Sequence, residues 1–138
     1  MTLEWREAMS VGNDVIDTDH KRLIDIVNQV EHSIDSKDQE QLNEALSTLD
    51  QYAQAHFGRE ERIAEAAGYA QAGHLHESHQ ALVKQLDKLK QEIKEQWSDQ
   101  SLASFGTLLR QWLVDHVIKE DLLLKPALKK FPANFDPK

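Results

Sequence analysis

Cysteine is absent from the 138 residues. That excludes disulfide bonds, thiolate metal sites and cysteine nucleophiles, so any bound metal must rely on nitrogen and oxygen ligands. Glycine (5) and proline (3) are scarce beside abundant Leu, Ala, Glu, Gln and Lys, which favours helix over sheet. Positive charge is in deficit: the formal net charge of -8 argues against a nucleic-acid surface, which needs basic patches to neutralise phosphate. No apolar run approaches the ~18 residues of a membrane-spanning helix. The opening MTLEWREAMSVGND lacks the apolar core of a signal peptide, and the expected location is the cytoplasm. There is no glycine-rich phosphate loop, and no Ser-His-Asp arrangement has support.

What remains is the composition of an ordinary globular domain, 40% hydrophobic and 29% charged, at a length that buries a real core. The expected organisation is one domain: an N-terminal arm over 1–17, a helical body over 18–125 and a tail over 126–138. The arm's Leu3, Trp5, Met9, Val11, Val15 and Ile16 should pack it onto the body. A first helix is expected from Asp17 or Thr18, with His20, Leu23, Ile24, Val27, Val30 and Ile34 facing inward. The second carries Leu42, Leu46, Leu49, Ala53, His56, Glu60, Ile63 and Ala67 in alternating steps of four and three, the seam of a helix bundle. Gly68 should end it. The third seam is Leu75, His79, Leu82, Leu86, Leu89 and Ile93; the fourth is Leu102, Phe105, Leu109, Trp112 and His116. Four amphipathic helices with short connections predict an all-α, up-down-up-down four-helix bundle.

Histidines stand in these seams where leucines belong. A lone histidine on an apolar face is usually a satisfied core residue, and buried polar groups are costly unless paired. Here His20, His56 and Glu60, His79, and His116 fall at the start, end, start and end of successive antiparallel helices, so all are expected at one end of the bundle. His56 and Glu60 are i,i+4 and share one helix face. More than four candidate ligands exceed what one tetrahedral zinc takes. A dinuclear iron centre suits a bundle, although the Glu-x-x-His motif of the di-iron carboxylate proteins is absent. His32 and Glu61 read as surface residues; Tyr52 and Tyr69 read as packing.

The arm MTLEWREAMSVGNDVIDTDHKRLI, the segment HFGREE followed by Gly68-Tyr69 and a histidine cluster, and the segment WLVDHVIKED together resemble the bacterial hemerythrins over nearly the whole chain. The resemblance implies a cofactor of two non-haem iron ions, oxo- or hydroxo-bridged. His20 and His56 would bind one iron; His79, His116 and a further histidine of the third helix would bind the other. Glu60 and Asp121 would bridge them. Asp121 is i+5 from His116 and enters through the resemblance alone. The family's HxxxH pair is interrupted, because Leu75 stands four residues before His79. His76, at i−3, is the expected substitute, with His74 or water as alternatives.

The implied function is reversible dioxygen binding for carriage, storage or delivery, by a monomer whose partner is dioxygen rather than nucleic acid or membrane. Leu23, Ile24, Val27, Ile63, Leu82 and Trp112 would line an apolar ligand pocket that excludes water. The alternatives are a di-iron enzyme acting on peroxide or nitric oxide, and an oxygen or redox sensor.

Overall fold

The computed structural model describes residues 2–137. Four helices dominate: α1 (Asp14–Asp35), α2 (Gln39–Ala66), α3 (Ala72–Glu95) and α4 (Asp99–Gln111). α1 packs on α2 and α4, and α3 packs on the same two, which closes the four-helix bundle. Among the described residues there is no strand, and no helix is long and apolar enough to cross a membrane.

Local chemistry sets the helix ends. α1 begins earlier than expected from Asp17 or Thr18, because Asn13 caps it: its Oδ1 accepts from the Val15 and Ile16 amides at 3.0 and 3.2 Å. Asp38 and Ser98 cap α2 and α4 in the same way. α2 closes on Gly68 at φ +75°, with the Gly68 amide donating to the Glu65 carbonyl and the Tyr69 amide to the Ala64 carbonyl. This paired closure needs a left-handed residue, and glycine meets it without a Cβ penalty.

Beyond α4 the chain changes pitch. Trp112–Ile118 forms a π-helical turn, followed by Lys119–Asp121 in α geometry and a 3₁₀ turn, Leu122–Leu124. Pro126 does not end the helical region. It sits in the first turn of a short helix, Lys125–Leu128, where a missing N–H costs nothing. The arm is pinned by a reciprocal pair of hydrogen bonds between the Leu3 backbone and the Asn28 side chain.

The core divides into two apolar clusters. The larger runs along the bundle and includes Leu23, Ile24, Val27, Leu82, Phe105, Leu109 and Trp112. The smaller holds Val11, Ile16, Ile63, Ala64, Leu75, Leu124 and Leu128.

Candidate metal centre

α1 and α2 present their seams to each other, which places His20 beside His56 with ring centroids 4.8 Å apart. Glu60 follows one turn along α2, and the π-helical turn delivers Asp121 from the opposite side. All four side chains are buried: His20, His56 and Glu60 are 0% exposed and Asp121 1%. Among the described residues they form a group whose candidate ligand atoms all lie within 4.8 Å of one another. His20 Nε2 is 2.7 Å from Asp121 Oδ2 and 3.9 Å from Glu60 Oε2. His56 Nε2 is 2.9 Å from Glu60 Oε2 and 3.4 Å from Asp121 Oδ2. Ligand atoms about 2.0–2.2 Å from a shared metal lie roughly 3–3.5 Å apart when adjacent. The 2.7, 2.9 and 3.4 Å contacts are close to that spacing, whereas the 4.8 Å extreme requires the donors to draw together around an ion.

The surroundings fix the donors. His56 Nδ1 donates to Asp19 Oδ2 at 3.0 Å. Asp19 is itself gripped by Arg59, whose Nε and Nη2 donate at 2.8 and 3.0 Å, and by the Tyr52 hydroxyl at 2.7 Å. Burial works against the Asp19 charge, yet the hydrogen bonds from His56, Arg59 and Tyr52 outweigh it and hold the carboxyl below the usual carboxylate range. Tyr52 is pushed up to about 12 by burial and by the Asp19 carboxylate. An ionised Asp19 keeps the proton on His56 Nδ1 and turns Nε2 toward the cluster, the carboxylate–histidine arrangement common behind metal ligands.

The cluster is electrostatically incomplete without a cation. Glu60 Oε2 accepts no hydrogen bond despite lying 2.9 Å from His56 Nε2, and His20 Nδ1 also lacks a partner. Burial, and then the charge of Asp121, push Glu60 up. Burial also opposes charge on Asp121, but hydrogen bonds from Glu60, His20 and His56 bring it down. His56 is raised well above its ordinary value: burial opposes the charge, and Glu60, Asp121 and Asp19 overcome it. The same atoms that draw protons in would take a metal cation in exchange.

A model of the hemerythrin HHE cation-binding domain matches residues 11–128. The chain belongs to the hemerythrin family. It is 28% identical over 121 residues to a bacteriohemerythrin of Stenotrophomonas maltophilia, covering 86% of this chain and 76% of that one. It is 29% identical over 132 residues to a bacteriohemerythrin of Methylococcus capsulatus, covering 93% and 98%. A crystal structure of a hemerythrin point mutant superposes with a TM-score of 0.77 at 24% identity, over 91% of this chain and 96% of that one, which supports the four-helix fold. Family membership and the buried cluster together support a non-haem iron-binding protein.

The hemerythrin pattern named seven ligands, and the structure gathers His20, His56, Glu60 and Asp121. His79 lies at the edge: its Nε2 is 3.1 Å from Glu60 Oε1 and its Nδ1 2.9 Å from Glu61 Oε2. Burial opposes charge on His79, but Glu60 and Glu61 raise it. His76 is exposed and bonded through Nδ1 to Glu61, so it meets His79 through that carboxylate and not at the cluster. His74 is exposed. His116 is also exposed, beside Gln85, Lys88 and Glu92. The π-helical turn slips the register of the last helix by a residue, so that Val117 takes the inward position.

Of the expected pocket residues, Leu23, Ile24, Val27, Leu82 and Trp112 are buried together in the larger cluster, whereas Ile63 belongs to the smaller one. Trp112 is fixed by its Nε1 donating to the Leu82 carbonyl at 2.9 Å. Asp19, Arg59, Tyr52 and Glu61 were not singled out from the sequence as site residues. The one signal for the first two is adjacency, Asp19 to His20 and Arg59 to Glu60.

Proposed function

We propose that this chain is a non-haem iron protein that binds dioxygen reversibly, for carriage, storage or delivery. His20, His56, Glu60 and Asp121 are the proposed ligands. The observation that carries the reading is the unpartnered Glu60 Oε2 within a wholly buried pair of histidines and pair of carboxylates, a donor set of imidazole and carboxylate that suits iron. Iron, when bound, supplies the redox-active site for dioxygen.

The protein's own part is positioning and exclusion. Asp19, held by Arg59 and Tyr52, orients His56 and retains the proton on Nδ1. Leu23, Ile24, Val27 and Trp112 present carbon surface within the adjoining core cluster, keeping water and proton donors scarce. Scarcity of protons favours release of unchanged dioxygen over its further reduction.

The test is an optical titration of the anaerobically reduced, iron-loaded protein with dioxygen. A visible band that forms with dioxygen and disappears on deoxygenation is expected. Irreversible oxidation with no recoverable band would sink the carrier reading. A second reading, an iron enzyme acting on peroxide or nitric oxide, is favoured by one feature: among the described residues two histidines join the cluster, leaving room for exchangeable ligands around an iron. Catalytic consumption of peroxide or nitric oxide by the same preparation would establish it.

A further inference from the structure

The family's centre has two halves, joined by the bridging carboxylates, and this chain equips them unequally. On one side of Glu60, the atoms His20 Nε2, His56 Nε2, Glu60 Oε2 and Asp121 Oδ2 converge. On the other, the histidine that Glu60 Oε1 meets among the described residues is His79, through Nε2 at 3.1 Å. The position four residues before His79, one helical turn away, holds Leu75. Its side chain carries no donor, and it is 3% exposed and packed with Val11, Ile16, Ile63, Ala64, Leu124 and Leu128.

The last helix withdraws the remaining donor. His116 is exposed, and the residue turned inward beside it is Val117, 1% exposed. His79 has little freedom to compensate. Its ring stacks on Phe57 with centroids 4.2 Å apart, and its Nδ1 is tied to Glu61. His76 is bound to the same Glu61 from the exposed side. A second ion would find one histidine, His79, beside the remaining oxygens of the two carboxylates, where the first finds His20 and His56.

We propose that this chain holds a single metal ion, at His20, His56, Glu60 and Asp121, and that Leu75 and the outward His116 close the second half of the family's centre. The inference rests on the reading of the cluster as an iron site, and it concerns the count of ions rather than the response to dioxygen. One ferrous ion oxidised to ferric would supply one electron where two would supply two, and the count of ions is read directly from metal content.

The experiment loads metal-free protein anaerobically with ferrous iron, removes the excess and measures iron per chain by elemental analysis. His116→Ala is measured beside the wild type; the residue is exposed, so the variant folds. A parallel sample loaded with Mn(II) is examined by electron paramagnetic resonance. One ion per chain in both proteins, with the spectrum of an isolated Mn(II), is expected. Two irons per chain in the wild type, or the spectrum of an exchange-coupled pair, overturns the inference while leaving the iron reading intact. Retention of no iron at all sinks both.

Discussion

His56 donates its Nδ1 proton to Asp19 Oδ2 across 3.0 Å, from α2 to α1, and that bond decides which nitrogen faces the candidate metal centre. Asp19→Asn keeps the shape but removes the charge that holds the proton on Nδ1. Loss of such a supporting carboxylate typically lowers metal affinity by about 10–100-fold. Competition against a chromophoric chelator measures it. Affinity equal to that of the wild type means that His56 is oriented by packing alone.

A cluster of buried carboxylates and imidazoles should make the metal part of the fold's stability. At a free-ion concentration 100-fold above Kd, binding to the native state alone contributes about 2.7 kcal/mol. Addition of a strong chelator should therefore lower Tm, and restoring the ion should recover it. His56→Ala removes one donor of the four, and its Tm should respond little to chelator. A wild-type Tm indifferent to chelator argues that the cluster is satisfied by protons.

The bundle was legible in the sequence because alternating steps of four and three mark a continuous apolar seam, and the observed core follows Leu42, Leu46, Leu49 and Ala53 along α2. His20, His56 and Glu60 stood out because they interrupt such seams. The seam through Leu109, Trp112 and His116 assumed an unbroken α-helix. A π-helical turn at Trp112–Ile118 has no marker in residue spacing, and it turns His116 out and Val117 in. Asp19 was illegible for a different reason. It is buried on the same three-and-four spacing as Ile16, Leu23, Ile26 and Val30, but its partners His56, Arg59 and Tyr52 all belong to α2, far away in sequence. Tyr52 and Glu61, which read as packing and surface, hydrogen-bond to Asp19 and to His79 because two helices meet there.

Gly68 closes α2 at φ +75°, and an added Cβ would meet nothing within 4 Å. Space is therefore not the constraint; the left-handed backbone is. Gly68→Ala should destabilise the fold by about 1–2 kcal/mol, the usual cost of that conformation for an L-residue. Thermal or urea unfolding checks it. Because the closure lies outside the cluster, metal content should not change, and an undiminished stability means that the turn relaxes into another form.

Leu75 separates the two roles that its position can play. As a ligand position it would matter to metal and little to packing. As observed, it is 3% exposed in the apolar cluster that joins α3 to the arm, to α2 and to the C-terminal turns. Leu75→Ala removes buried methyl groups and leaves a cavity, which costs about 2–5 kcal/mol in comparable cores. Equilibrium unfolding should show that loss, while iron per chain stays at the wild-type value under conditions where the variant remains folded. A variant of wild-type stability places Leu75 at a loosely packed face. In that case a histidine substituted there could be accommodated and recruit a second ion, whereas a large loss shows that the closed half of the centre is part of the core.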